Sequence, residues 1–429
     1  MPALAPVQRQ YEDLPYPHRD PAAEMDLLRQ PTLCELPRIQ SLAWSRPRDL
    51  ATLRVLDAGC GTGDNTVFLA EQLRGTGAEI VALDFSEASL EINRARLTAR
   101  GLGGVEHVHA WIEDAPSLGL GEFDVVVCTG VLHHLESPTE GLRALRSMLR
   151  PDGLLAVMVY ATYGREPVYL MQSLLRRLAP STLSPDQRLR ILKQTLQGLP
   201  PQSRTLRGLM DSPFFRAEIA NSDAGAYDLL LHTQDRPYTV PEVHEWMAEA
   251  GMRVLDWAIP RQYDPSTYLA GVNVGAMSME ERAATAELMH GGMTKHEFFA
   301  ERTDAPERVQ VAVDDPRAVP VWCGYDFPAA VRSALAQPKI GPEFRCTFGL
   351  ERDVSVPADP LGKHFLGVVD GQTPVAAILE SAGAIAPALS ESRIRRRWVE
   401  FAGAFHAVAA LGLYAETSET RPTHSTPRG

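Results

Sequence analysis

Short apolar runs alternate with amphipathic stretches along the first 160 residues of the chain. The apolar runs predict strands at 53–58, 79–84, 105–110, 123–128 and 154–160, and the stretches between them predict helices at 64–73, 86–100 and 137–149. Strands that are apolar throughout and alternate with helices are typical of a parallel sheet with both faces covered. The pattern therefore predicts an α/β fold.

Beyond residue 160 the pattern is less regular. It predicts an inserted helical region at about 166–235, then a helix at 241–250, a strand at 252–259, a helix at 278–290 and a last strand at 295–302. We therefore expect one domain at 51–303, preceded by an irregular segment at 1–50 with one short helix near 22–30.

The C-terminal third predicts a separate, smaller unit. Residues 304–320 are rich in Asp and Pro and are predicted as a linker, residues 321–415 as an accessory α+β domain, and residues 416–429 as a disordered tail. Within that domain, Trp398, Phe401 and Phe405 share one face of a predicted helix at about 392–411.

Composition narrows the possible partners and compartments. The formal net charge of −12 gives no general attraction to nucleic acid, so a nucleic-acid partner is disfavoured. The five cysteines lie far apart and form no paired metal-ligand spacing, so we predict free thiols, a reducing cytoplasmic location and no metal site. The first twenty residues lack an apolar signal core, and we predict a protein with no membrane segment.

A glycine-rich turn follows the first predicted strand. Alternate glycines at Gly59, Gly61 and Gly63 allow a tight turn, and the next helix directs its free N–H groups at a ligand there. The spacing differs from the dinucleotide pattern G-x-G-x-x-G, and Asp57 would repel a pyrophosphate but suits an ammonium group, directly or through water. Asp84 ends the second strand, where an acidic residue holds ribose hydroxyls in such folds, and Phe85 follows it.

The segments VLDAGCGTGDNT, IVALDFS, EFDVVVCTGVLHHLESP and LRALRSMLRPDGLLAVMVY together resemble class I S-adenosylmethionine-dependent methyltransferases. The resemblance implies a seven-stranded Rossmann-like sheet whose last strand, 295–302, is antiparallel, and an N-terminal segment that folds over the cofactor. It implies S-adenosyl-L-methionine as cofactor and S-adenosyl-L-homocysteine as product. The residues that we assign to cofactor binding are Asp57, Gly59, Cys60, Gly61, Thr62, Gly63, Asn65, Asp84, Phe85, Trp111, Ile112, Glu113 and Thr129.

One position departs from the family's common pattern. Many relatives carry an acidic residue after the third strand that accepts from the adenine amino group, but Trp111 or Ile112 stands there in this chain. Either the adenine rests beside Trp111 and bonds backbone groups of Ile112, or Glu113 or Asp114 takes the acidic role.

The acceptor site is predicted beyond the ends of strands four and five. His133 and His134 are candidates for the proton acceptor, His133 slightly favoured of the two, although a pair that lines or supports the pocket with no proton role is the favoured interpretation. The other candidate catalytic residues are Tyr160 and Tyr163, and the candidate substrate-binding residues are Tyr16, Arg19, Arg165, His232 and Asp235. Arg165 suits a carboxylate, and 11–20 is predicted as a lid.

Residues 357–379 predict two helices joined by an Asp-Gly turn and resemble small winged-helix modules, including ones that bind peptide leaders. Packing or dimerisation is the favoured role, a homo-oligomer is compatible with it, and the cluster at 393–397 is expected to be a solvated helix face.

Taken together, the sequence predicts methyl transfer to a hydroxyl, amine or carboxylate acceptor on a small molecule, peptide or protein. The inserted helices and the extra domain slightly favour a peptide or protein. A non-catalytic cofactor- or peptide-binding protein is the alternative, and a nicotinamide oxidoreductase is disfavoured by the glycine spacing and by Asp57.

Overall fold

The computed structural model describes residues 6–271, 273–308, 311–336, 342–347 and 353–415. The chain divides into two compact units. The first contains Met1–Leu36 and Asp49–Pro306, and the second contains Pro37–Arg48 and Glu307–Gly429. The sequence-based boundary at 304–320 lies near this division, but the chain enters the second unit twice, which local patterns do not reveal.

A seven-stranded sheet forms the centre of the first unit, with the strand order β3-β2-β1-β4-β5-β7-β6. Strands β1 to β5 pair in parallel, and β7 pairs antiparallel with both β5 and β6. The strands are β1 Arg54–Ala58, β2 Glu79–Asp84, β3 Val105–His109, β4 Phe123–Thr129, β5 Leu149–Tyr160, β6 Met252–Trp257 and β7 Lys295–Arg302. The predicted α/β sheet with an antiparallel last strand is confirmed.

The central strands are apolar because helices cover both of their faces. Residues Val125, Val126, Val127 and Cys128 of β4 have no exposed surface. The helices of the first unit are α1 Pro6–Asp13, α3 Asp64–Gln72, α4 Glu87–Ala99, α5 Pro138–Met148, α6 Glu166–Leu178, α7 Pro185–Gly198, α8 Arg204–Asp211, α9 Pro213–Asn221, α10 Asp223–Leu231, α11 Val240–Glu249 and α12 Met279–His290.

Side-chain caps mark the helix starts that the sequence predicts. Ser137 Oγ accepts from the backbone N–H of Glu140 at the start of α5. Ser278 and Glu281 form a reciprocal capping box at the start of α12. These local bonds explain why the helix bounds agree with the sequence to within one or two residues.

The inserted region contains the five helices α6 to α10 and has its own apolar core. Val168, Met171, Leu192 and Leu230 are among its fully buried side chains. Helix α10 is buried from its second residue, Ala224, to its end at Leu231. These helices occupy the stretch of about 166–235 for which the sequence predicts an inserted helical region.

The N-terminal segment has more regular structure than its composition predicts. Helix α1 replaces the irregular stretch expected there, whereas the expected helix near 22–30 is only a short 3₁₀ turn at Pro21–Asp26. The reason is tertiary: Gln8 Nε2 donates to the carbonyl of Phe85, and the Ser86 hydroxyl donates to the carbonyl of Tyr11. A local pattern cannot show such contacts.

The second unit combines helices with two small antiparallel sheets. Its elements are α2 Leu36–Ala43, which begins at the last residue of the first unit, β8 Ala318–Trp322, α13 Phe327–Ala336, β9 Glu343–Thr347, β10 Asp353–Pro357, α14 Pro360–Val368, α15 Val375–Ile385, α16 Glu391–Ala407 and β11 Leu411–Ala415. β8 pairs with β11, and β9 pairs with β10. β8 begins inside the stretch expected to be a linker.

Helices α14 and α15 flank the predicted Asp-Gly turn. The Asp370 carboxylate accepts from the backbone N–H groups of Gln372 and Thr373 and so fixes this turn. Trp398 and Phe405 of α16 are fully buried, as their shared face predicted. The likeness to winged-helix modules stays a prediction, and the predicted tail at 416–429 lies outside the described residues.

Two further observations bear on the sequence analysis. Within the described ranges, none of the helices combines the length and the apolar character that a membrane crossing requires. The five cysteines are free thiols, and Cys34, Cys60, Cys128 and Cys323 are buried.

Candidate functional site

The glycine-rich turn after β1 adopts a conformation that favours glycine. Gly59, Gly61 and Gly63 have φ angles of +73°, +50° and +99°. The backbone N–H groups of Gly59 and Cys60 both donate to the carbonyl of Leu83, which ties the turn to β2. A Cβ at Gly63 would lie 2.7 Å from Cγ of Asn93, so the turn also packs too closely for a side chain there.

Asp57 lies beneath this turn and has no exposed surface. Its carboxylate accepts from the Thr66 hydroxyl at 2.6 Å and from Asn65 Nδ2 at 3.3 Å. Asn65 Nδ2 also donates to Thr129 Oγ1 at 2.8 Å, which connects α3 to the end of β4. Burial raises the pKa of Asp57 to about 6, against the lowering effect of its hydrogen bonds. Asp57 therefore fixes the start of α3, directly after the turn.

Asp84 closes the same site from the end of β2. Its two carboxylate oxygens accept from the backbone N–H groups of Gly61 and Ser86 at 2.8 and 2.9 Å. Burial raises its pKa to about 6, although both backbone bonds favour the charged form. Each oxygen keeps a second lone pair, so the carboxylate can still accept from hydroxyl groups of a ligand.

An aromatic pair borders Asp84. The rings of Phe85 and Trp111 stack with centroids 4.6 Å apart and an interplanar angle of 8°. This separation leaves no room for a third ring between them, so a purine would lie against an outer face or displace one ring. Ile112 is buried beside the pair, whereas Glu113 and Asp114 are exposed.

The N-terminal segment crosses over the glycine turn. A Cβ at Gly61 would lie 2.8 Å from the carbonyl oxygen of Tyr16, and the Thr62 hydroxyl donates to the carbonyl of Pro17 at 2.7 Å. Upstream, the Glu12 carboxylate accepts from the backbone N–H groups of Glu87 and Ala88 at the start of α4. A carboxylate is favourable at that positive helix end.

Buried ion pairs hold the following stretch. Glu24 accepts from Arg96 at 2.5 Å and from Arg100 at 2.7 Å, and the Glu24 and Arg96 side chains are 4% and 1% exposed. Arg96 also pairs with Asp64 of α3, as does Arg19 through two nitrogens at 2.6 and 2.8 Å. The segment is thus tied to α3, which follows the glycine turn, and to α4, which begins shortly after Asp84.

A second group of polar side chains lies beyond the ends of β4 and β5. We call it the polar cluster and define it as Tyr11, His133, His134, Tyr160, Arg165, Asp228, His232 and Asp235. The backbone N–H of Arg236 donates to the carbonyl of His133, and that of Tyr238 donates to the carbonyl of Tyr160. These bonds hold the stretch with His232 and Asp235 along the strand ends.

The backbone of Gln234 orients two histidines of the polar cluster in opposite ways. His134 Nδ1 lies 2.8 Å from the carbonyl oxygen of Gln234, to which it donates. His232 Nδ1 accepts from the backbone N–H of the same residue at 3.1 Å. Neutral His134 therefore carries its lone pair on Nε2, whereas neutral His232 carries a hydrogen on Nε2.

His133 is fully buried, and neither of its ring nitrogens has a hydrogen-bond partner within the described part of the chain. Its ring packs against those of His134 and Tyr160, with centroids 4.2 and 4.0 Å away. Burial, followed by the positive charges of nearby groups, holds the pKa of His133 well below its usual value. The imidazole is neutral at physiological pH and has a free lone pair.

Carboxylates and tyrosine hydroxyls from the N-terminal segment and the inserted helices form hydrogen-bonded pairs at and next to the polar cluster. The Tyr11 hydroxyl donates to Asp228 at 2.8 Å and lies 3.4 Å from His232 Nε2. Burial raises the pKa of Asp228. The Tyr16 hydroxyl donates to Glu218 at 3.1 Å. The segment that covers the glycine turn therefore also contributes to the polar cluster.

Arg165 has an incompletely bonded guanidinium group. Its side chain is 1% exposed, its central carbon lies 3.4 Å from the centroid of the Tyr160 ring, and its NH2 atom lies 3.7 Å from Asp235. Its Nε and NH2 atoms make no hydrogen bond to the residues that the structure describes. A buried guanidinium with free donors is suited to an anionic or carbonyl group of a ligand.

The comparisons with known proteins agree with this geometry. A family model described as a methyltransferase domain matches residues 56–155. A demethylmenaquinone methyltransferase from Clavibacter sepedonicus is 32% identical over 192 residues, which are 43% of this chain and 74% of that protein. The chain belongs to the class I S-adenosylmethionine-dependent methyltransferases. Its cofactor is accordingly S-adenosylmethionine.

Other relatives of this methyltransferase match over different lengths. The uncharacterized protein syc1184_c from Synechococcus sp. is 30% identical over 279 residues, 63% of this chain and 65% of that protein. A ubiquinone biosynthesis O-methyltransferase from Aromatoleum aromaticum is 36% identical over 113 residues, 26% of this chain and 46% of that protein. The chain thus spans about half to two thirds of the length of the curated relatives it first matches.

A solved structure resembles the fold of the methyltransferase over most of its length. PKMT2 from Rickettsia typhi in complex with AdoHcy has a TM-score of 0.61 at 13% identity, covering 90% of this chain and 76% of that one. At this identity, the likeness supports the fold alone.

Several residues predicted for the site lie elsewhere in the methyltransferase. Tyr163 is 40% exposed, and the guanidinium of Arg19 is engaged by Asp64 and by its neighbour's carbonyl instead of facing the polar cluster. Glu113 is exposed and is not part of the aromatic pair. In contrast, His133, His134, Tyr160, Arg165, His232 and Asp235 come together as one group.

Sequence reasoning missed Asp228 and Glu218 and did not single out Tyr11 within the expected lid. A usable signal exists for Asp228, because it is the one charged residue in the apolar stretch 224–231 of α10. A carboxylate buried in such a helix requires a partner, and Tyr11 supplies one. No local signal marks Glu218.

Proposed function

We propose that this methyltransferase transfers the methyl group of S-adenosylmethionine to an oxygen or nitrogen acceptor, and that the acceptor enters the polar cluster. The observation that carries this proposal is the path of one segment. Tyr16 and Pro17 contact the glycine turn, and Tyr11 contacts Asp228 in the polar cluster. A cover shared by two sites is what transfer between a cofactor and an acceptor requires, since both must be shielded from water.

The residues around the turn fit the cofactor. The positive φ angles of the glycines expose bare backbone, Asp84 offers lone pairs to ribose hydroxyls, and the Phe85–Trp111 pair offers a flat face for adenine. Asp57 has no exposed surface, which favours an indirect role through Asn65 and Thr66. When bound, the cofactor supplies an electrophilic methyl group, and the chain must then orient a nucleophile and receive its proton.

His133 is the proposed proton acceptor in the metal-free protein. Its neutral ring lies beside Tyr160 at the strand ends, and its lone pair has no partner among the described residues. A hydroxyl or a neutral amine placed against it would lose its proton to that nitrogen as the methyl group is transferred. Arg165, with free donors, would orient a carbonyl or carboxylate on the same acceptor.

Two observations bear on the chemical nature of the acceptor. The relative from Aromatoleum aromaticum is named as an O-methyltransferase, which supports an oxygen acceptor. The five-helix insertion and the second unit exceed what a minimal small-molecule enzyme needs, which favours a peptide or protein. We also propose a cytoplasmic location, supported by the free thiols.

Isothermal titration of the full chain with S-adenosylmethionine, S-adenosylhomocysteine and NAD tests the cofactor half of the proposal. We expect affinity of about micromolar order for the first two and none for NAD. Asp84→Asn should weaken both affinities by at least about 10-fold, because it removes a charged acceptor. Asp186→Asn, on an exposed turn of α7, is the matched control.

A screen of hydroxyl, amine and carboxylate compounds, peptides and protein extracts, read by S-adenosylhomocysteine release and product mass, tests the acceptor half. Turnover that His133→Asn lowers at unchanged cofactor affinity would support the assignment. Tight binding of NAD, or of none of the three ligands, would contradict the proposed function.

A further inference from the structure

Part of the polar cluster has the composition of a metal site. One ligand atom from each of His133, His134 and Asp235 lies within 4.8 Å of the others, and the same holds for His134, Asp228 and His232. The sequence predicted no metal, because the cysteines lack metal-ligand spacing. These histidines and carboxylates come from segments about a hundred residues apart, so only the fold brings them together.

The side chains of His133 and Asp235 are both buried, and neither makes a short hydrogen bond within the described ranges. The two ring nitrogens of His133 lack a partner in the described ranges. The Asp235 side chain is 2% exposed, accepts from Gln172 Nε2 at 3.3 Å and from the Tyr169 hydroxyl at 3.5 Å, and lies 3.7 Å from Arg165. A buried imidazole without a partner is unfavourable unless something else satisfies it, and a carboxylate held by such long contacts keeps lone pairs for a further ligand.

His134 is already oriented as metal-ligating histidines are. Such histidines almost always donate their second ring N–H to a carbonyl or carboxylate, which fixes the tautomer and the ring plane. His134 Nδ1 donates to the carbonyl of Gln234 at 2.8 Å and so leaves the lone pair of Nε2 free.

His232 does not meet the same condition. Its Nδ1 lone pair accepts from the backbone N–H of Gln234, so the neutral ring carries its hydrogen on Nε2. That hydrogen faces the Tyr11 hydroxyl, at 3.4 Å. The set of His134, Asp228 and His232 therefore lacks a third lone pair, whereas the set with His133 and Asp235 has all three.

We propose that His133, His134 and Asp235 bind one divalent transition-metal ion of the zinc class. Two imidazoles and one carboxylate suit such an ion and leave one coordination position open for water or for the polar atom of an acceptor. Bonds of about 2.0–2.2 Å in a tetrahedral site place ligand atoms about 3.4 Å apart, so side-chain shifts of about 1 Å close the site.

One cation and two carboxylates lie at the proposed site. Arg165 is the cation beside it, and its NH2 atom lies 3.7 Å from Asp235. Asp228 supplies a second carboxylate on the other side of His134. The ion would hold the His133 lone pair, so metal binding and the proposed proton acceptance by His133 exclude one another. The ion would then lower the pKa of a bound acceptor hydroxyl.

The test is binding of Zn²⁺ alone to the full chain after treatment with a chelator, with no cofactor or acceptor present. Competition with a chromophoric chelator gives the affinity and stoichiometry, and Co²⁺ substitution gives the coordination number from its visible spectrum. We expect one ion per chain and an affinity at least about 100-fold lower in His133→Asn and in Asp235→Asn, since each removes one of three protein ligands.

Two control variants make the assignment specific. His232→Gln should leave the affinity within about 3-fold, and so should His290→Ala on the surface of α12. Titration with S-adenosylhomocysteine shows that each variant is folded and keeps the failure of this proposal separate from failure of the proposed function.

Equal binding by wild type and by the His133→Asn and Asp235→Asn variants would overturn the proposal. A loss in His232→Gln as large as that in His133→Asn would overturn the choice of ligands. If a variant fails to fold, the Co²⁺ spectrum of the wild type decides, because an octahedral, water-like spectrum contradicts a site with three protein ligands.

Discussion

The glycine turn and the polar cluster lie at the same edge of one sheet but differ in how their polar groups are bonded. Around the turn, Asp57 and Asp84 each accept two hydrogen bonds, of which three measure 2.6–2.9 Å and one, from Asn65 to Asp57, measures 3.3 Å. In the polar cluster, neither ring nitrogen of His133 has a partner among the residues that the structure describes, and the hydrogen bonds to Asp235 there are long, at 3.3 and 3.5 Å. In the first site every carboxylate oxygen of these two residues already has a hydrogen-bond partner, whereas in the second the bonding of the polar groups is less complete.

This difference suggests a division of tasks. A turn that is internally bonded can present a fixed surface to the same cofactor in every cycle. A cluster with unused donors and acceptors is suited to take up and release varied polar atoms, since the ligand supplies the missing bonds. The following predictions separate the two regions.

The largest effect is expected from Gly63→Ala in the turn. The added methyl group would lie 2.7 Å from Asn93, which donates to Thr66, which in turn donates to Asp57. We expect at least about a 100-fold loss of S-adenosylmethionine affinity by isothermal titration, because the whole bonded network must shift.

Gly104→Ala is the matched control for that variant. Gly104 also has a positive φ, +77°, but an added Cβ would meet nothing within 4 Å. It should lose about 1 kcal/mol of stability from backbone strain and keep its cofactor affinity. Equal losses of affinity in the two variants would mean that strain alone, and not packing of the turn, is responsible.

The second-largest effect is expected from low pH, which should weaken cofactor binding at the glycine turn. Burial raises the pKa of both Asp57 and Asp84 from an unfolded value near 3.8 to about 6. The free energy of unfolding of the free protein therefore decreases as the pH rises from about 4 to about 6, because ionising these buried groups is unfavourable. Hydrogen bonds donated by the cofactor favour the ionised form.

Cofactor affinity should accordingly fall at least about 10-fold from about pH 7.5 to about pH 5, measured by titration. The rise in melting temperature on adding cofactor should shrink in parallel. Asp84→Asn should flatten this pH dependence, and a profile that stays as steep in the variant would assign it to other groups.

The two regions were also unequally predictable from sequence. The turn, Asp57 and Asn65 lie within ten residues, and Asp84 ends the next strand, so local patterns brought them together. The seven-stranded sheet with its antiparallel last strand followed from the family resemblance and is confirmed.

The polar cluster could be predicted only in part. Its residues come from α1, the ends of β4 and β5, the start of α6, and α10 with the stretch after it, so their proximity depends on tertiary packing. That packing buries Arg165, leaves Tyr163 outside and directs Arg19 to Asp64. Patterns in a single sequence carry no information about such long-range contacts.

An intermediate effect on methyl transfer is expected from a change in the N-terminal segment, which contacts both the glycine turn and the polar cluster. Tyr11→Phe removes the hydroxyl that donates to buried Asp228 at 2.8 Å. A hydrogen bond to a charged group is worth about 1.5–3 kcal/mol, so methyl transfer should slow at least about 10-fold while cofactor affinity changes by less than about 3-fold.

The readouts are single-turnover methyl transfer and isothermal titration on the same preparation. Tyr268→Phe, which removes a hydroxyl bond to the carbonyl of Gln262, is the control and should change neither quantity. If Tyr11→Phe instead weakened cofactor binding as much as it slowed transfer, the N-terminal segment would serve the turn alone.

The smallest effect is expected from Arg19→Gln. Arg19 pairs with Asp64 through two nitrogens, but both side chains are more than a fifth exposed, at 21% and 24%, and such pairs contribute at most about 1 kcal/mol. Cofactor affinity should therefore fall by about 3-fold at low salt, mostly through faster dissociation, because the pair holds the segment over the turn. The difference from wild type should disappear at high salt, since exposed charges are screened.

Arg143→Gln breaks an exposed pair on α5 with Glu140 and should leave the dissociation rate unchanged. A loss of 100-fold in Arg19→Gln would show instead that the cover segment, and not the glycine turn, dominates cofactor binding.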